Sequence, residues 1–177
     1  MPKLEEQEKL NEWVEKACEA WTANAGHIVR SWLREGLRER CITRDLKWGT
    51  PVPLERYKEK VFYVWFDAPI GYISMTANYT TNWQLWWLNQ TDDIDYYQFM
   101  AKDNVPFHGI LFPASLIGTK QPWVKVKHLI ATEYLNYEDG KFSKSRSYGV
   151  FGNDAKDTGN LKEIVYIFHI FTLTNNC

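Results

Sequence analysis

The 177-residue sequence predicts an α/β fold: half of a doubly wound parallel sheet, preceded by a helical segment. Three observations carry that reading. Apolar residues near the start recur at spacings of three and four, as on one face of a helix. The middle of the chain holds runs rich in β-branched and aromatic residues, each followed by a polar cluster. Stretches with helical signals separate those runs, and parallel strands need crossovers of that kind.

The first stripe consists of Leu4, Leu10, Trp13, Val14, Ala17, Cys18 and Trp21, with Glu and Lys on the opposite face. Asn24-Ala25-Gly26 is expected to interrupt it. Ile28, Val29, Trp32, Leu33 and Leu37 then repeat the period in a second helix that ends between Gly36 and Arg40. Residues 43–53 read as a loop, because Gly49, Pro51 and Pro53 disfavour both helix and central strand.

Residues 61–66 form a continuous apolar run stopped by Asp67, the pattern of a strand covered on both faces. Strand candidates 95–101 and 126–132 follow. Helical signals lie between them, in 72–88 (most clearly from Asn82) and in 106–118, where Pro106 suits the first position of a helix. Sheets of this kind bind ligands outside the carboxyl ends of their strands. Those ends carry Asp67-Ala68-Pro69, Lys102-Asp103-Asn104 and Glu133-Tyr134.

Composition narrows the function classes. Lys and Arg number 21 against 22 Asp and Glu, so nucleic-acid binding driven by overall charge is excluded and a local basic patch is what remains. At 45% hydrophobic residues the chain is neither disordered nor collagen-like. Cys18, Cys41 and Cys177 show no metal-ligand spacing; they read as reduced cytosolic thiols, and no metal site is expected. The start of the chain runs into Glu5, Glu6 and Glu8, the reverse of a signal peptide. The longest apolar stretch, 164–171, falls far short of the roughly 20 residues that span a membrane. A soluble chain with no membrane partner is expected.

The strongest local signal is Lys141-Phe142-Ser143-Lys144-Ser145, followed by Arg146 and preceded by the acidic turn Glu138-Asp139-Gly140. Two ammonium groups and two hydroxyls on a short loop suit a triphosphate, because they meet the charge that builds as pyrophosphate leaves. The competing reading is a solvated basic loop.

That segment resembles the Lys-Met-Ser-Lys-Ser loop of class I aminoacyl-tRNA synthetases. Two further stretches narrow the resemblance: Arg44-Asp45-Leu46-Lys47-Trp48-Gly49-Thr50-Pro51-Val52-Pro53, and 61–72 with 100–108. Together they resemble methionyl-tRNA synthetases of the eukaryotic cytosolic type. The resemblance implies the second half of a Rossmann-like catalytic domain. It also implies ATP-dependent activation of methionine to methionyl-adenylate, then transfer to the initiator and elongator methionine tRNAs in the cytoplasm.

By the same resemblance, Trp65, Ala68, Pro69, Tyr72, Asn104 and His108 line the methionine pocket. A thioether gains from contact with aromatic edges such as those of Trp65 and Tyr72. Lys141, Ser143, Lys144, Ser145 and Asp103 would bind ATP, with Lys141 and Lys144 catalytic, and Arg44 would be an active-site arginine. ATP with Mg2+ enters as a substrate. Each residue has a plainer alternative: core packing for Trp65, a satisfied buried imidazole for His108, a helix cap before Pro106 for Asp103, and a solvated loop position for Arg44.

Residues 1–42 correspond to the helical end of a connective region, 43–159 to the second half of the catalytic domain, and 160–177 to a divergent apolar tail. The family's His-x-Gly-His motif is absent: the four histidines are His27, His108, His128 and His169. The chain is therefore expected to be a fragment, inactive alone. The alternatives are a non-catalytic module that binds tRNA or a synthetase partner, and a synthetase for another amino acid. Phe142 replaces the loop's usual Met. Ser147 stands where Gly normally follows the arginine, a strain if that position needs positive φ.

Overall fold

Leu10 and Val14, one helical turn apart and both fully buried, anchor the first element. In this computed structural model, which describes residues 4–88, 94–134, 136–138, 140–151 and 154, α1 spans Leu4–Ala17 and closes in a 3-10 turn at Cys18–Ala20. The helical break falls at Trp21-Thr22, and α2 runs Ala23–Glu35. Asn24-Ala25-Gly26 thus opens the second helix instead of interrupting the first. The reason is tertiary. The Thr22 N–H donates to Leu129 O (3.1 Å), its hydroxyl accepts from the Ala131 N–H (3.1 Å), and the Asn24 amide donates to Ala131 O (3.0 Å). Those bonds pin the helix start to a strand more than a hundred residues away. Gly36, with φ 83°, ends α2 where the sequence placed its end.

β1 (Thr43–Arg44) pairs antiparallel with β2 (Val61–Phe62), inside a segment expected to be loop. The expected strand over 61–66 stops after those two residues. Tyr63 is extended, and Val64–Asp67 forms the short helix α3. A six-residue apolar run does not by itself separate strand from helix. Here Val64 and Trp65 are 58% and 52% exposed, so the run is not sandwiched between layers. The β1–β2 ribbon consequently stands outside the parallel sheet. α4 (Ile70–Tyr79) and α5 (Trp83–Trp87) follow, separated by the extended Thr80.

The parallel sheet is built by β3 (Tyr97–Ala101) and β4 (His128–Thr132), in register from Tyr97 opposite His128 to Ala101 opposite Thr132. Between them lie a 3-10 turn at Lys102–Asn104, a π-helical turn at Phe107–Leu111 and α6 (Phe112–Gly118). The βαβ unit thus occurs once among the described residues, where the strand candidates implied two in succession. An antiparallel hairpin, β5 (Asn136–Tyr137) and β6 (Gly140–Lys141), leads to a 3-10 turn at Lys144–Arg146.

One face of β4, Leu129 and Ala131, joins Leu10, Val14, Val29 and Val105 in the main core. The opposite sheet face leaves Tyr97 and Phe99 50% and 64% exposed. A second cluster forms around Trp87, Phe112 and Leu116. Among the described residues no helix is long and apolar enough to cross a membrane. The expected tail, 160–177, lies outside the described residues, as does Asp139 of the acidic turn.

Candidate functional site

The ends of β3 and β4 present polar groups together. Lys102 forms an ion pair with Glu133 and lies 4.9 Å over the Tyr134 ring. Asp103 and Asn104 are exposed in the turn that follows β3. The third expected strand end, Asp67-Ala68-Pro69, is instead the corner between α3 and α4.

His108 sits in the π-helical turn, a local widening that recurs at functional sites. Its Nδ1 lies 2.9 Å from Asn104 O. A carbonyl only accepts, so Nδ1 carries the proton. Nε2 of the neutral ring then accepts from the Tyr72 hydroxyl at 2.8 Å. Burial pushes the imidazole pKa below its ordinary 6.5, with the Asn104 carbonyl opposing. Burial therefore favours the neutral ring, in which Nδ1 donates to Asn104 O and Nε2 accepts from Tyr72.

Trp65 meets this turn edge-on. Its ring lies 4.9 Å from Phe107 at 81°, and it stacks on Tyr63 at 5.8 Å. Tyr72 is 5.7 Å from the His108 ring and 6.2 Å from Phe112. Pro69 is buried beside them, whereas Ala68 is exposed. The structure thus brings Trp65, Tyr72 and His108 around one turn, with Pro69 at the corner of the helices that carry the first two. Tyr63 and Phe107 complete the cluster. Sequence reasoning passed over both, although each adjoins or nearly adjoins a selected residue. The cluster is an open shelf. Two surface clefts, of about 270 and 420 Å³, are lined by other residues.

Arg44 donates to Thr43 O (2.8 Å) and Cys41 O (3.1 Å), and its guanidinium lies 3.8 Å over the Tyr63 ring. It reaches the cluster through Tyr63.

The loop is held by its own bonds. Ser143 and Tyr148 exchange backbone hydrogen bonds of 2.9 and 3.0 Å. The Ser143 and Ser145 hydroxyls are 3.3 Å apart, Lys144 is exposed, and Lys141 lies in β6. Ser147 adopts φ 51°, the left-handed conformation for which Gly is suited. Gly149 has φ 130°, and a Cβ there would stand 2.2 Å from the Phe142 ring. Phe142 in turn packs on Phe151 at 4.8 Å. Among the described residues, no hydrogen bond or ring contact joins this loop to the Trp65–His108 shelf. No group of three or more His, Cys, Asp or Glu converges among them for a metal.

The family model described as tRNA synthetases class I (M) matches residues 1–174. The chain belongs to this family. It is 65% identical over 161 residues to the cytoplasmic methionine–tRNA ligase of Mus musculus, covering 90% of this chain and 18% of that protein. The cytoplasmic methionine–tRNA ligase of Saccharomyces cerevisiae is 60% identical over 161 residues, covering 90% and 21%. A Mycobacterium tuberculosis methionyl-tRNA synthetase bound by methionyl-adenylate superposes with TM-score 0.58 at 23% identity, covering 78% of this chain and 28% of that one. A second structure of that protein gives 0.63 at 24%, covering 78% and 26%. At those identities the solved structures speak for the fold, a mixed helical and parallel-sheet arrangement. The synthetase-family chain spans about a fifth of the length of the curated relatives it matches.

Proposed function

We propose that the chain is part of a cytoplasmic methionine–tRNA ligase, contributing the methionine pocket and the phosphate loop. The observation that carries this is the hydrogen bond between the Tyr72 hydroxyl and His108 Nε2, on the turn whose Phe107 ring meets the Trp65 indole. These groups recognise a thioether. The indole and phenol offer polarizable surface, and the hydroxyl, its proton committed to Nε2, keeps lone pairs that orient the amino acid's polar groups. Leucine matches methionine in volume, so selectivity rests on such oriented polar contacts. Asn104 fixes the imidazole through its carbonyl, and Ala68 and Pro69 close the shelf at the helix corner.

On this reading Lys144 and Lys141 meet the phosphates of ATP, with Ser143, Ser145 and the backbone as further donors, and Asp103 accepts from ribose hydroxyls. Arg44 adds positive charge near the carboxylate. Mg2+ arrives on the triphosphate. The reaction is in-line attack of the methionine carboxylate on the α-phosphate, driven by positioning and charge stabilisation. The aminoacyl group then passes to the initiator or elongator methionine tRNA.

A second reading, a synthetase-like module without catalysis, is favoured by the missing His-x-Gly-His motif. Loss of one transition-state donor costs about 10²–10³ in rate, and a cluster of donors is missing here. The 177 residues alone should bind methionine weakly and show no methionine-dependent ATP–pyrophosphate exchange. Calorimetry should find Trp65→Ala abolishing methionine binding and Lys144→Ala leaving it nearly unchanged. Equal loss in both variants would remove the pocket assignment, and measurable exchange would refute the inactivity.

A further inference from the structure

Tyr72 reaches His108 from α4, a helix with little anchorage of its own. None of its ten residues is buried, and Ile70, Met75 and Tyr79 are largely exposed. A hydrogen bond tolerates only a few tenths of an ångström in length, so a hydroxyl carried on such a helix needs the helix fixed from outside.

The fixing residue is Trp87. Two hydrogen bonds join α4 side chains to other elements among the described residues: Tyr72 with His108, and Trp87 Nε1–H to the Thr76 hydroxyl at 2.9 Å. Thr76 lies one turn beyond Tyr72 and donates its own proton to Tyr72 O at 3.0 Å. Its hydroxyl thus bridges the indole to the backbone of the residue that meets His108. Trp87 is itself held on several sides. It is 7% exposed, its ring meets Tyr96 edge-on at 5.2 Å, and its carbonyl accepts from the Val124 N–H at 2.8 Å. Tyr96 immediately precedes β3, and Val124 lies on the approach to β4. Phe112 and Leu116 of α6 share its buried cluster. Core packing accounts for the ring. It does not account for the N–H aimed at Thr76, which a phenylalanine would lack.

We propose that Trp87 and Thr76 are positioning residues that hold the Tyr72 hydroxyl at His108: the indole N–H fixes the Thr76 hydroxyl, which fixes the turn of α4 carrying Tyr72. The framework of the βαβ unit, through the starts of both parallel strands, thereby sets the geometry of a polar contact on the shelf. Resting on the proposed methionine pocket, the two residues tune methionine binding without belonging to the shelf.

Thr76→Val keeps the side-chain shape and removes both bonds, whereas Thr76→Ser keeps the hydroxyl. Methionine calorimetry on the full chain should find Thr76→Val about fivefold weaker, the weight of one neutral hydrogen bond, and Thr76→Ser close to wild type. In a Tyr72→Phe background Thr76→Val should cost nothing further, because its effect passes through the Tyr72 hydroxyl. Nuclear magnetic resonance of isotope-labelled histidine, read without methionine, should show the His108 imidazole of Thr76→Val moving toward its position in Tyr72→Phe, with Thr76→Ser unmoved. Trp87→Phe, which leaves no indole N–H stranded, should follow Thr76→Val and serves in its place if that variant fails to fold. A His108 imidazole unmoved in these variants, or a Thr76→Val penalty that persists in full beside Tyr72→Phe, would each overturn the proposal. The expected His108 spectra in a chain that binds no methionine would support the positioning role and remove the methionine pocket.

Discussion

At position 147 the backbone is left-handed, φ 51°, and the residue is Ser. That conformation costs an L-residue roughly 1–2 kcal/mol relative to Gly, partly offset by glycine's greater unfolded-state freedom. Ser147→Gly should therefore steady the 141–149 loop, seen as slower amide exchange at Tyr148; faster exchange would contradict the strain. His108 gives a pH prediction. Burial holds its folded pKa below the unfolded 6.5, so the unfolded chain takes up the proton first as pH falls. The stability contributed by the neutral ring is complete above pH 6.5 and diminishes below it. The urea midpoint should drop between pH 7.5 and pH 5.5 by more in wild type than in His108→Gln. Equal drops would mean that other groups carry the acid sensitivity.

At the scale of elements, the π-helical turn that carries His108 is seated against α2. A Cβ added at Gly109 would lie 2.6 Å from Val29 Cγ2 and 3.3 Å from the Trp21 ring. Gly109→Ala should cost about 1–3 kcal/mol through overpacking, measurable by urea denaturation, and on the proposed function it should also loosen methionine binding by displacing His108. Unchanged stability would show that the turn relaxes freely. The contrast between 61–66 and 95–101 explains what was readable. Both are apolar, aromatic-rich runs, yet 97–101 finds a parallel partner along its whole length while 61–66 finds one for Val61 and Phe62 alone. Periodicity carries no information about partners.

For the whole molecule, the exposed apolar surface is large. Tyr97 and Phe99 lie on the uncovered sheet face, and Ile70, Met75, Tyr79, Leu85 and Trp86 are exposed along α4 and α5. A two-stranded sheet is marginal unless packed, and uncharged strands with open faces promote association. The chain should self-associate at tens of micromolar in sedimentation velocity, and Phe99→Lys should shift it toward monomer. A wild-type chain that stays monomeric over that range would show those faces to be compatible with solvent.

The helices α1 and α2 and the strands β3 and β4 were legible because their signals are local: a period of 3.6 and a β-branched run between polar clusters. The resemblance, in which Gly normally follows the loop arginine, raised positive φ at Ser147 as a condition, and the backbone there is left-handed. What the tertiary structure alone decided was which surfaces meet. It moved Trp65 from a strand to a helix, placed Tyr63 and Phe107 against it, and bonded Tyr72 to His108 across 36 positions. It also started α2 at Thr22 by bonding it to β4. Such contacts depend on where the chain returns to itself in space, and composition and spacing do not encode that return in any single window.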